Sequence, residues 1–416
     1  MSKLLDVFGY PWRGCTWIGA SRLKRVGLIC AGLACAGLLL SGCKSKDKET
    51  LWETYQEPVE PIALPKAAGV SEISELWKKN LGSGAELGYA ILKPWASSDG
   101  VYAVNRSGSV FKLDAETGST IWRHEIRSDI FSGVGADDSI VVITLDNGKV
   151  VALKADSGEA AWESPLNRQI SSIPVVGKGR VVVRTVDGLI VGLNASTGET
   201  AWSVERSVPG LSIHGDSTPL ITGDAVLVGL ANGKLIANNV VTGREYWETE
   251  VSYAKGQNEL ERLIDSDTAP LVSATTVYTA TYQGNVAALQ LQDASVKWKA
   301  KISSRLPMTL GEDRLFVTSE LGEIVAINTG NGDIEWTQDS FRGRGMSGPL
   351  VVNGRVVVGD SNGNIYSLDA ADGHLLESRK VAKGAVVALV SGQGKFFVFS
   401  SEGSISALSL LKSLNL

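Results

Sequence analysis

The chain has 416 residues, of which 44% are hydrophobic and 20% are charged. This length allows a large buried core and, taken alone, about two or three domains. The formal net charge is -5, and the five basic and one acidic residues within 1–42 leave the rest of the chain at -9. An acidic body of this kind argues against nonspecific binding to nucleic acid, which requires a basic surface.

The amino-terminal region has the pattern of a secretion signal. Basic residues at 22–25 precede an apolar run over 26–40, which is shorter than the roughly 20 residues of a stable membrane-spanning helix. The run ends in Leu-Ser-Gly-Cys, and this ending resembles the bacterial lipobox, which implies lipidation of Cys43. We therefore predict a lipoprotein signal peptide over 1–42; the alternative is an ordinary signal or anchor with a chance cysteine.

All four cysteines lie at or before Cys43, so the mature body would have no disulfide and no cysteine-bound metal.

The segment after the predicted cleavage point has the composition of a membrane tether. Lys44 follows the cysteine in place of the aspartate that holds lipoproteins at the inner membrane of enteric bacteria, which favours the outer membrane. Residues 43–70 are charged and contain prolines without a sustained period, so we predict a lipidated cysteine and a flexible tether on the periplasmic side.

A tryptophan-bearing motif recurs through the rest of the chain at intervals of about 40 residues, which is typical of a modular array. The stretch LDAETGSTIW, for example, has the near-copies LKADSGEAAW and LNASTGETAW. The tryptophans of the motif, with a glutamate at the eighth equivalent position, are Trp77, Trp122, Trp162, Trp202, Trp247, Trp298, Trp336 and Glu377. Turn glycines in a second register are Gly108, Gly148, Gly188, Gly233, Gly284, Gly322, Gly363 and Gly403. Both registers indicate eight units.

Each unit contains the pattern of four β-strands. The stretch GRVVVRTVDGLIVGLNASTGETAW over 179–202 has two β-branched runs around a turn glycine, then a Thr-Gly turn and a short run that ends at the tryptophan. A shorter apolar segment ahead of it, SSIPVVGKG, supplies a fourth strand. Four antiparallel strands per period of about 40 residues are typical of a propeller blade, so we predict an all-β, eight-bladed β-propeller over 71–416.

The two ends of the array predict how the ring closes. Around Trp77 the sequence has an outer strand without preceding hairpin strands, whereas residues 394–410 have hairpin strands without an outer strand. Joining the two completes one blade from both termini and removes an open sheet edge that would promote aggregation. We expect one closed ring rather than two domains.

The repeated tryptophan has two competing interpretations, a cofactor site or a packing element. Burial of one tryptophan side chain contributes a few kcal/mol at about 25 cal/mol per Å². A packing role explains all seven tryptophans together, whereas a cofactor needs only one or two. Ala294 in place of the turn glycine, and Glu377 in place of the tryptophan, indicate that neither residue is indispensable in every blade.

The chain offers no motif that predicts chemistry. The repeat resembles the tryptophan-docking motif of quinoprotein alcohol dehydrogenases, which hold pyrroloquinoline quinone and calcium in a propeller. That resemblance ends with the blades, because a cysteine-free body cannot form the vicinal disulfide that many of these enzymes carry. His124, His214 and His374 lack the spacing of metal ligands, and most acidic residues occupy turns. We predict no catalytic residue, no cofactor and no metal.

Two consecutive connections between blades are unusually long. They read SVERSVPGLSIHGDSTP over 203–219 and ETEVSYAKGQNELERLIDSDTAP over 248–270. Each joins a tryptophan strand to the next inner strand, so both should emerge on the same rim of the ring, from adjacent blades. Asp265 and Asp267 alternate around Ser266 and would point the same way in an extended chain. The loops form a binding patch or, alternatively, only cover the mouth of the funnel.

Together with the lipobox, the tether and the eight blades, the stretches LSIHG and NELERLIDSDTAP resemble the BamB family of the outer-membrane β-barrel assembly (BAM) machinery. The resemblance covers essentially the whole mature chain. It implies a non-catalytic scaffold that binds the periplasmic POTRA domains of BamA, the barrel-forming subunit, and assists folding and insertion of β-barrel proteins. By motif the contact residues are Leu211, Ile213, His214, Asp265 and Asp267. The family usually has arginine at the position of His214.

Two other functions stay open at this point. One is a lipoprotein that binds another envelope or cell-wall component through the same rim, and a less favoured one is a quinoprotein-type dehydrogenase. An aromatic-lined, polar funnel would favour the first, and a calcium-like cluster of carboxylates the second. Unfolded outer-membrane proteins are a further candidate partner, through pairing with exposed outer-strand edges.

Overall fold

The backbone forms eight β-sheets from 33 strands in the part of the chain that the structure describes. This computed structural model describes residues 60–68, 72–85, 90–209, 217–253, 266 and 268–410. Within these residues no helix is long and apolar enough to span a membrane. The predicted signal peptide, the lipidation of Cys43 and the tether up to residue 59 lie outside the described residues and stay predictions.

The strands are short and follow one another in antiparallel groups. The first ten are β1 (Ile73–Asn80), β2 (Ile91–Leu92), β3 (Trp95–Ser97), β4 (Gly100–Val104), β5 (Ser109–Leu113), β6 (Thr120–Glu125), β7 (Ile130–Ala136), β8 (Ile140–Leu145), β9 (Lys149–Lys154) and β10 (Ala160–Pro165). The next twelve are β11 (Val175–Gly177), β12 (Arg180–Arg184), β13 (Leu189–Asn194), β14 (Thr200–Glu205), β15 (Leu220–Thr222), β16 (Ala225–Gly229), β17 (Lys234–Asn239), β18 (Glu245–Glu250), β19 (Leu271–Ser273), β20 (Thr276–Ala280), β21 (Val286–Gln290) and β22 (Val296–Ala300). The last eleven are β23 (Thr309–Gly311), β24 (Arg314–Thr318), β25 (Ile324–Asn328), β26 (Ile334–Gln338), β27 (Leu350–Val352), β28 (Arg355–Gly359), β29 (Asn364–Asp369), β30 (Leu375–Lys380), β31 (Val386–Gly392), β32 (Lys395–Ser400) and β33 (Ser404–Leu410).

The eight sheets are the blades of a propeller. Blades 1 to 7 begin at β3, β7, β11, β15, β19, β23 and β27, and each contains four consecutive strands. In blade 2 the short β2 adds a fifth strand, parallel to β7. Hydrophobic clusters fill every junction between neighbouring blades, including the junction between blades 7 and 8. The predicted ring of eight four-stranded antiparallel blades is confirmed.

Blade 8 is assembled from both ends of the chain. The strands β31, β32 and β33 come from the carboxyl end, and β1 joins as the outer strand by pairing antiparallel to β33. Ile73 lies opposite Leu410, and Asn80 lies opposite Ser404. The predicted closure by joining the terminal strands is therefore confirmed.

The local pattern explains why each strand lies where it does. The two middle strands of a blade, such as β12 and β13, are β-branched runs that are almost wholly buried because both sheet faces meet a neighbouring blade. The outer strand alternates between exposed and buried residues, as in β14.

Gly188 turns the hairpin between β12 and β13 at φ 88°, and a Cβ there would lie 2.1 Å from the carbonyl oxygen of Arg206. Only glycine fits this turn.

The repeated tryptophans join seven of the eight blades to the next blade. Trp202 of blade 3 is buried, its indole N–H donates to the carbonyl oxygen of Val240 in blade 4 at 2.9 Å, and its ring lies against the turn glycine Gly243. Equivalent indole bonds of 2.8–3.1 Å run from the other six motif tryptophans to Ala115, Ala155, Ala195, Leu291, Thr329 and Ala370. The turn and the tryptophan of the motif therefore meet across blade boundaries, which supports the packing interpretation.

Glu377 replaces the tryptophan at the one junction where that contact cannot form. The next blade is blade 8, whose outer strand comes from the amino-terminal end, so no turn connects β33 to β1. Instead, the Glu377 carboxylate accepts hydrogen bonds from the backbone N–H groups of Glu72 and Ile73, at 2.6 and 2.8 Å. Arg355 pairs with Glu72 at 3.2 Å beside them. The glutamate thus fastens the start of β1 to blade 7.

Residues 60–68, within the segment predicted as tether, lie against blades 6 and 7. Leu64 and Ala67 pack against the hydrophobic cluster between these blades. Arg344 donates to the carbonyl oxygen of Ile62 at 2.5 Å, and the N–H of Ala68 donates to that of Leu375 at 3.3 Å. These nine residues contact the ring before the chain enters β1.

We predict that restoring the repeat consensus at position 377 destabilises the ring. Glu377→Trp removes the acceptor for two backbone N–H groups and offers an indole for which there is no turn. We expect the free energy of unfolding, measured by urea denaturation, to fall by about 2 kcal/mol or more. Glu377→Gln keeps one acceptor oxygen and should lose less.

The neighbouring exposed residue provides a matched control, because Ser378→Ala on the same strand should leave the unfolding midpoint unchanged. A rise in stability with tryptophan would show that the glutamate has no specific role in closure.

Candidate functional site

The two long connections predicted as a binding patch leave the ring on one rim. The first joins β14 of blade 3 to β15 of blade 4, and the second joins β18 of blade 4 to β19 of blade 5. Outer-to-inner connections of successive blades all lie on the same side of a propeller, because each blade has four antiparallel strands. We call this side the loop rim.

All five residues predicted to bind the partner fall outside the described residues. They are Leu211, Ile213, His214, Asp265 and Asp267. What the structure does describe are the feet of the two loops, at 206–209 and 217 for the first and at 251–253, 266 and 268 for the second.

The feet of the two loops are hydrogen-bonded to each other. Ser217 is completely buried, and its hydroxyl accepts a bond from the N–H of Gly229 at 3.2 Å. The same hydroxyl donates to the carbonyl oxygen of Thr268 at 3.5 Å. The first loop therefore ends directly beside the end of the second, which brings the two loops to adjacent places on the loop rim.

The second foot is fixed to the blades on both sides of it. The Thr268 hydroxyl donates to the carbonyl oxygen of Ala280 and accepts from the N–H of the same residue, both at 3.1 Å. The N–H of Ser266 donates to the carbonyl oxygen of Leu230 in blade 4 at 3.1 Å, and the Ser266 side chain is buried. A loop that ends on such satisfied, buried bonds starts from a rigid base.

The same arrangement of buried hydroxyls recurs around the ring. Ser172 accepts from the N–H of Arg184 at 3.0 Å, and Ser347 accepts from the N–H of Gly359 at 2.9 Å. Ser132 donates to the carbonyl oxygen of Ser172 at 2.8 Å, which links blades 2 and 3. Ser172, Ser217, Thr268 and Ser347 each stand two positions before a proline, in SIP, STP, TAP and SGP. The pattern of SSIPVVGKG predicts a strand but does not predict this buried hydroxyl.

One cavity in the described part of the chain has a serine and a histidine in its lining, but these two side chains do not form a catalytic arrangement. A cavity of about 430 Å³ between residues 63–66 and blades 6 and 7 is lined by Ser340, Asp372 and His374, among others. The Ser340 hydroxyl donates to Gln338 Oε1 at 2.7 Å, whereas exposed His374 contacts Asp372 at 3.2 Å. The serine proton is thus directed at an amide oxygen and not at the imidazole, as nucleophile activation would require.

A smaller cavity of about 250 Å³ lies at the loop rim of blade 6. Burial raises the pKa of Glu320 in this cavity, and Arg305, whose Nε lies 3.6 Å from its carboxylate, partly offsets the effect. Among the described residues no group of three histidine, cysteine or acidic side chains is placed to hold a metal ion.

Comparison with known proteins identifies relatives that are described as BamB. The family described as "Outer membrane protein assembly factor BamB" matches residues 106–311 and 305–412. The assembly factor BamB of Pseudomonas aeruginosa is 39% identical over 371 residues, which cover 89% of this chain and 95% of the relative. The BamB of Escherichia coli K12 is 30% identical over 381 residues, covering 89% of this chain and 96% of the relative.

Solved structures agree with this result. The crystal structure of BamB from Moraxella catarrhalis has a TM-score of 0.75 at 27% identity, covering 81% of this chain and 100% of that one. The quinohemoprotein alcohol dehydrogenase of Comamonas testosteroni has a TM-score of 0.64 at 14% identity, covering 81% of this chain and 76% of that one. At such low identity the second likeness shows the fold alone.

We predict that the foot of the second loop loosens when its buried hydroxyl is removed. Thr268→Val keeps the shape of the side chain but leaves the N–H of Ala280 without its acceptor, which costs about 1–3 kcal/mol. Hydrogen exchange at the Ala280 amide should become faster. Thr197→Val, at an exposed turn on the opposite rim, is the control, and equal exchange in the two variants would show that the hydroxyl does not fix the loop.

Proposed function

This chain belongs to the BamB family of outer membrane protein assembly factors, and from that premise we propose that it binds the POTRA domains of BamA through its loop rim. As a member of this family it acts in the assembly of outer-membrane proteins as a scaffold and not as an enzyme. Within the BAM complex the bound protein would assist folding and insertion of β-barrels.

The observation that carries the proposal is the direct contact between the feet of the two loops. Ser217 bonds to Thr268, and both are buried in the wall between blades 4 and 5. Loops whose feet share one rigid base would meet a partner at neighbouring points of the loop rim. A fixed base leaves less conformational entropy to lose on binding than two independent bases would.

The residue types in the loops fit a protein partner. Leu211 and Ile213 are apolar anchors that would supply affinity, and Asp265 and Asp267 would select a basic or amide-rich surface. Ser266, which stands between the two acids in the sequence, is buried. In an extended chain the neighbours of a buried residue would point the opposite way. His214 replaces the arginine that the family usually has, so any charge-assisted contact at this position would depend on protonation of the imidazole.

We further propose that the protein is anchored at the outer membrane by lipidation of Cys43 and faces the periplasm. The support is the lipobox-like ending LSGC, the lysine after it and the assembly function of the relatives. Residues 44–59 would then form the free part of the tether, because residues 60–68 contact blades 6 and 7.

Direct strand pairing with unfolded outer-membrane proteins is less well supported than binding of the POTRA domains. The outer strand of every blade contains a β-bulge beside the motif position, for example between Ala160 and Trp162 in blade 2. Bulges interrupt the regular edge that an added strand needs. A client strand would find only short paired segments on these edges.

The cell-wall alternative predicted a funnel lined by aromatic residues. Positions equivalent to Trp95 on the other innermost strands are Gly135, Val175, Leu220, Leu271, Thr309, Leu350 and Val390. These side chains are small or aliphatic apart from one threonine, and they do not form the aromatic platform on which a sugar ring stacks. The alternative therefore receives no support from this layer of the ring.

We predict that replacing Leu211 and Asp265 together weakens partner binding without unfolding the protein. The change L211A with D265N should raise the Kd for a purified POTRA fragment about 30-fold, equivalent to about 2 kcal/mol if both are hot spots. Isothermal titration calorimetry measures the Kd, and a melting curve checks the fold.

A matched pair on other surfaces controls for charge and apolar area. Ile121 is half exposed on β6, and Asp372 lies in an exposed turn on the opposite rim; I121A with D372N should bind as wild type does. A lowered melting temperature of the L211A/D265N variant with unchanged affinity would mean that the loops serve packing, and the site would be wrong.

A further inference from the structure

Tyr253 presents an exposed ring at the point where the second long connection leaves the ring of blades. Its fractional exposure is 61%, the highest among the exposed large apolar side chains of the described residues. It is the last described residue before 254–265. A tyrosine ring this open to water, next to a loop proposed to bind a partner, requires an explanation.

The backbone beneath this ring is held firmly. The N–H groups of Val251 and Ser252 donate to the carbonyl oxygen of Gly233 at 3.0 and 3.3 Å. Both residues are buried, and the Ser252 hydroxyl bonds to that of Thr281 at 2.8 Å and accepts from the N–H of Asn285 at 3.1 Å. Tyr253 therefore projects from a base tied to both blade 4 and blade 5.

A lysine from the neighbouring blade lies over the tyrosine. Lys299 on β22 donates to the carbonyl oxygen of Val251 at 2.6 Å, and its Nζ lies 5.9 Å from the centre of the Tyr253 ring. This distance is within the range of a cation–π contact. No ion pair between described residues involves Lys299, so its charge is available to a partner's carboxylate.

We propose that Tyr253 and Lys299 form a preorganised contact point that extends the partner surface of the loop rim. An apolar patch of the partner would cover the tyrosine ring, and an adjacent partner carboxylate would pair with Lys299. Tyrosine suits this role because its ring offers a large contact area and loses little rotamer entropy. The inference rests on the proposed function, since the partner is the same POTRA-bearing subunit.

This assignment gives the partner surface a definite charge pattern. The acids of the second loop, Asp265 and Asp267, would meet basic or amide groups, whereas Lys299 would meet an acidic one. Alternating charges across a surface fix the register of the two proteins and exclude wrong partners. The partner should therefore carry an acidic group beside an apolar patch at this point.

The test measures binding of the POTRA fragment to the full mature chain carrying single substitutions. Tyr253→Ala should raise the Kd about tenfold, and Tyr253→Phe, which keeps the ring, should change it little. Lys299→Glu should lower the association rate of the POTRA fragment, because it replaces an attractive charge with a repulsive one. Added salt should then slow the association of this variant less than that of wild type. Tyr246→Ala is the matched control, because Tyr246 is 52% exposed on β18 of the same blade but lies away from the loop rim.

The outcomes separate this inference from the proposal beneath it. Suppose that wild type binds the fragment and L211A/D265N does not. If the Kd of Tyr253→Ala then equals that of Tyr246→Ala, Tyr253 is not a contact and only this inference fails. If wild type does not bind the fragment, the proposed function fails and the inference fails with it. If Tyr253→Ala lowers the melting temperature, the phenylalanine and Lys299→Glu variants decide, and normal binding by Lys299→Glu overturns the role of the lysine.

Discussion

The structure depends on one repeated contact, the docking of a tryptophan from seven of the eight blades onto the turn of the next blade. The indole N–H satisfies a backbone carbonyl while the ring covers a turn whose glycine leaves room for it, as Trp202 does at Val240 and Gly243. Hydrophobic clusters fill the junctions between the blades, so the apolar faces of each blade are covered by its two neighbours. Each blade therefore depends on both neighbours to bury its apolar surface.

The sequence predicted the number of blades because the residues of the docking contact recur at nearly regular intervals, and it predicted the closure because the two ends of the array contain complementary strands of one blade. Tryptophan and glycine recur at fixed offsets, so counting them gives eight units. The role of Glu377 was not predictable, since its partners Glu72 and Ile73 lie about 300 residues away in the chain. In the sequence, Glu377 indicates only that the repeat tolerates the loss of one tryptophan. The structure shows that Glu377 makes a different contact, because blade 8 has no turn between β33 and β1. The buried hydroxyls such as Thr268 had a local signal, but hydroxyl partners in the next blade cannot be read from it.

Stability and recognition use different parts of the same ring. The tryptophan turns lie on the rim opposite the long loops, so the residues that hold the blades together are separate from those proposed to meet a partner. The buried hydroxyls of Ser217 and Thr268 connect the packed blades to the long loops, because they fix the loop feet to the wall between the blades. The predicted contacts of Leu211 and Asp265 follow from motif and rim position, while Tyr253 became visible only through its exposure and its lysine neighbour.

We propose that the loop rim faces the barrel-forming subunit in the envelope. The decisive measurement places a photo-activatable amino acid at Ile213 on the loop rim, and separately at Thr197 on the opposite rim, and irradiates intact cells. We expect a covalent adduct with the POTRA-bearing subunit from position 213 and none from position 197. An adduct from position 197 alone would show that the opposite rim, and not the loop rim, binds the partner.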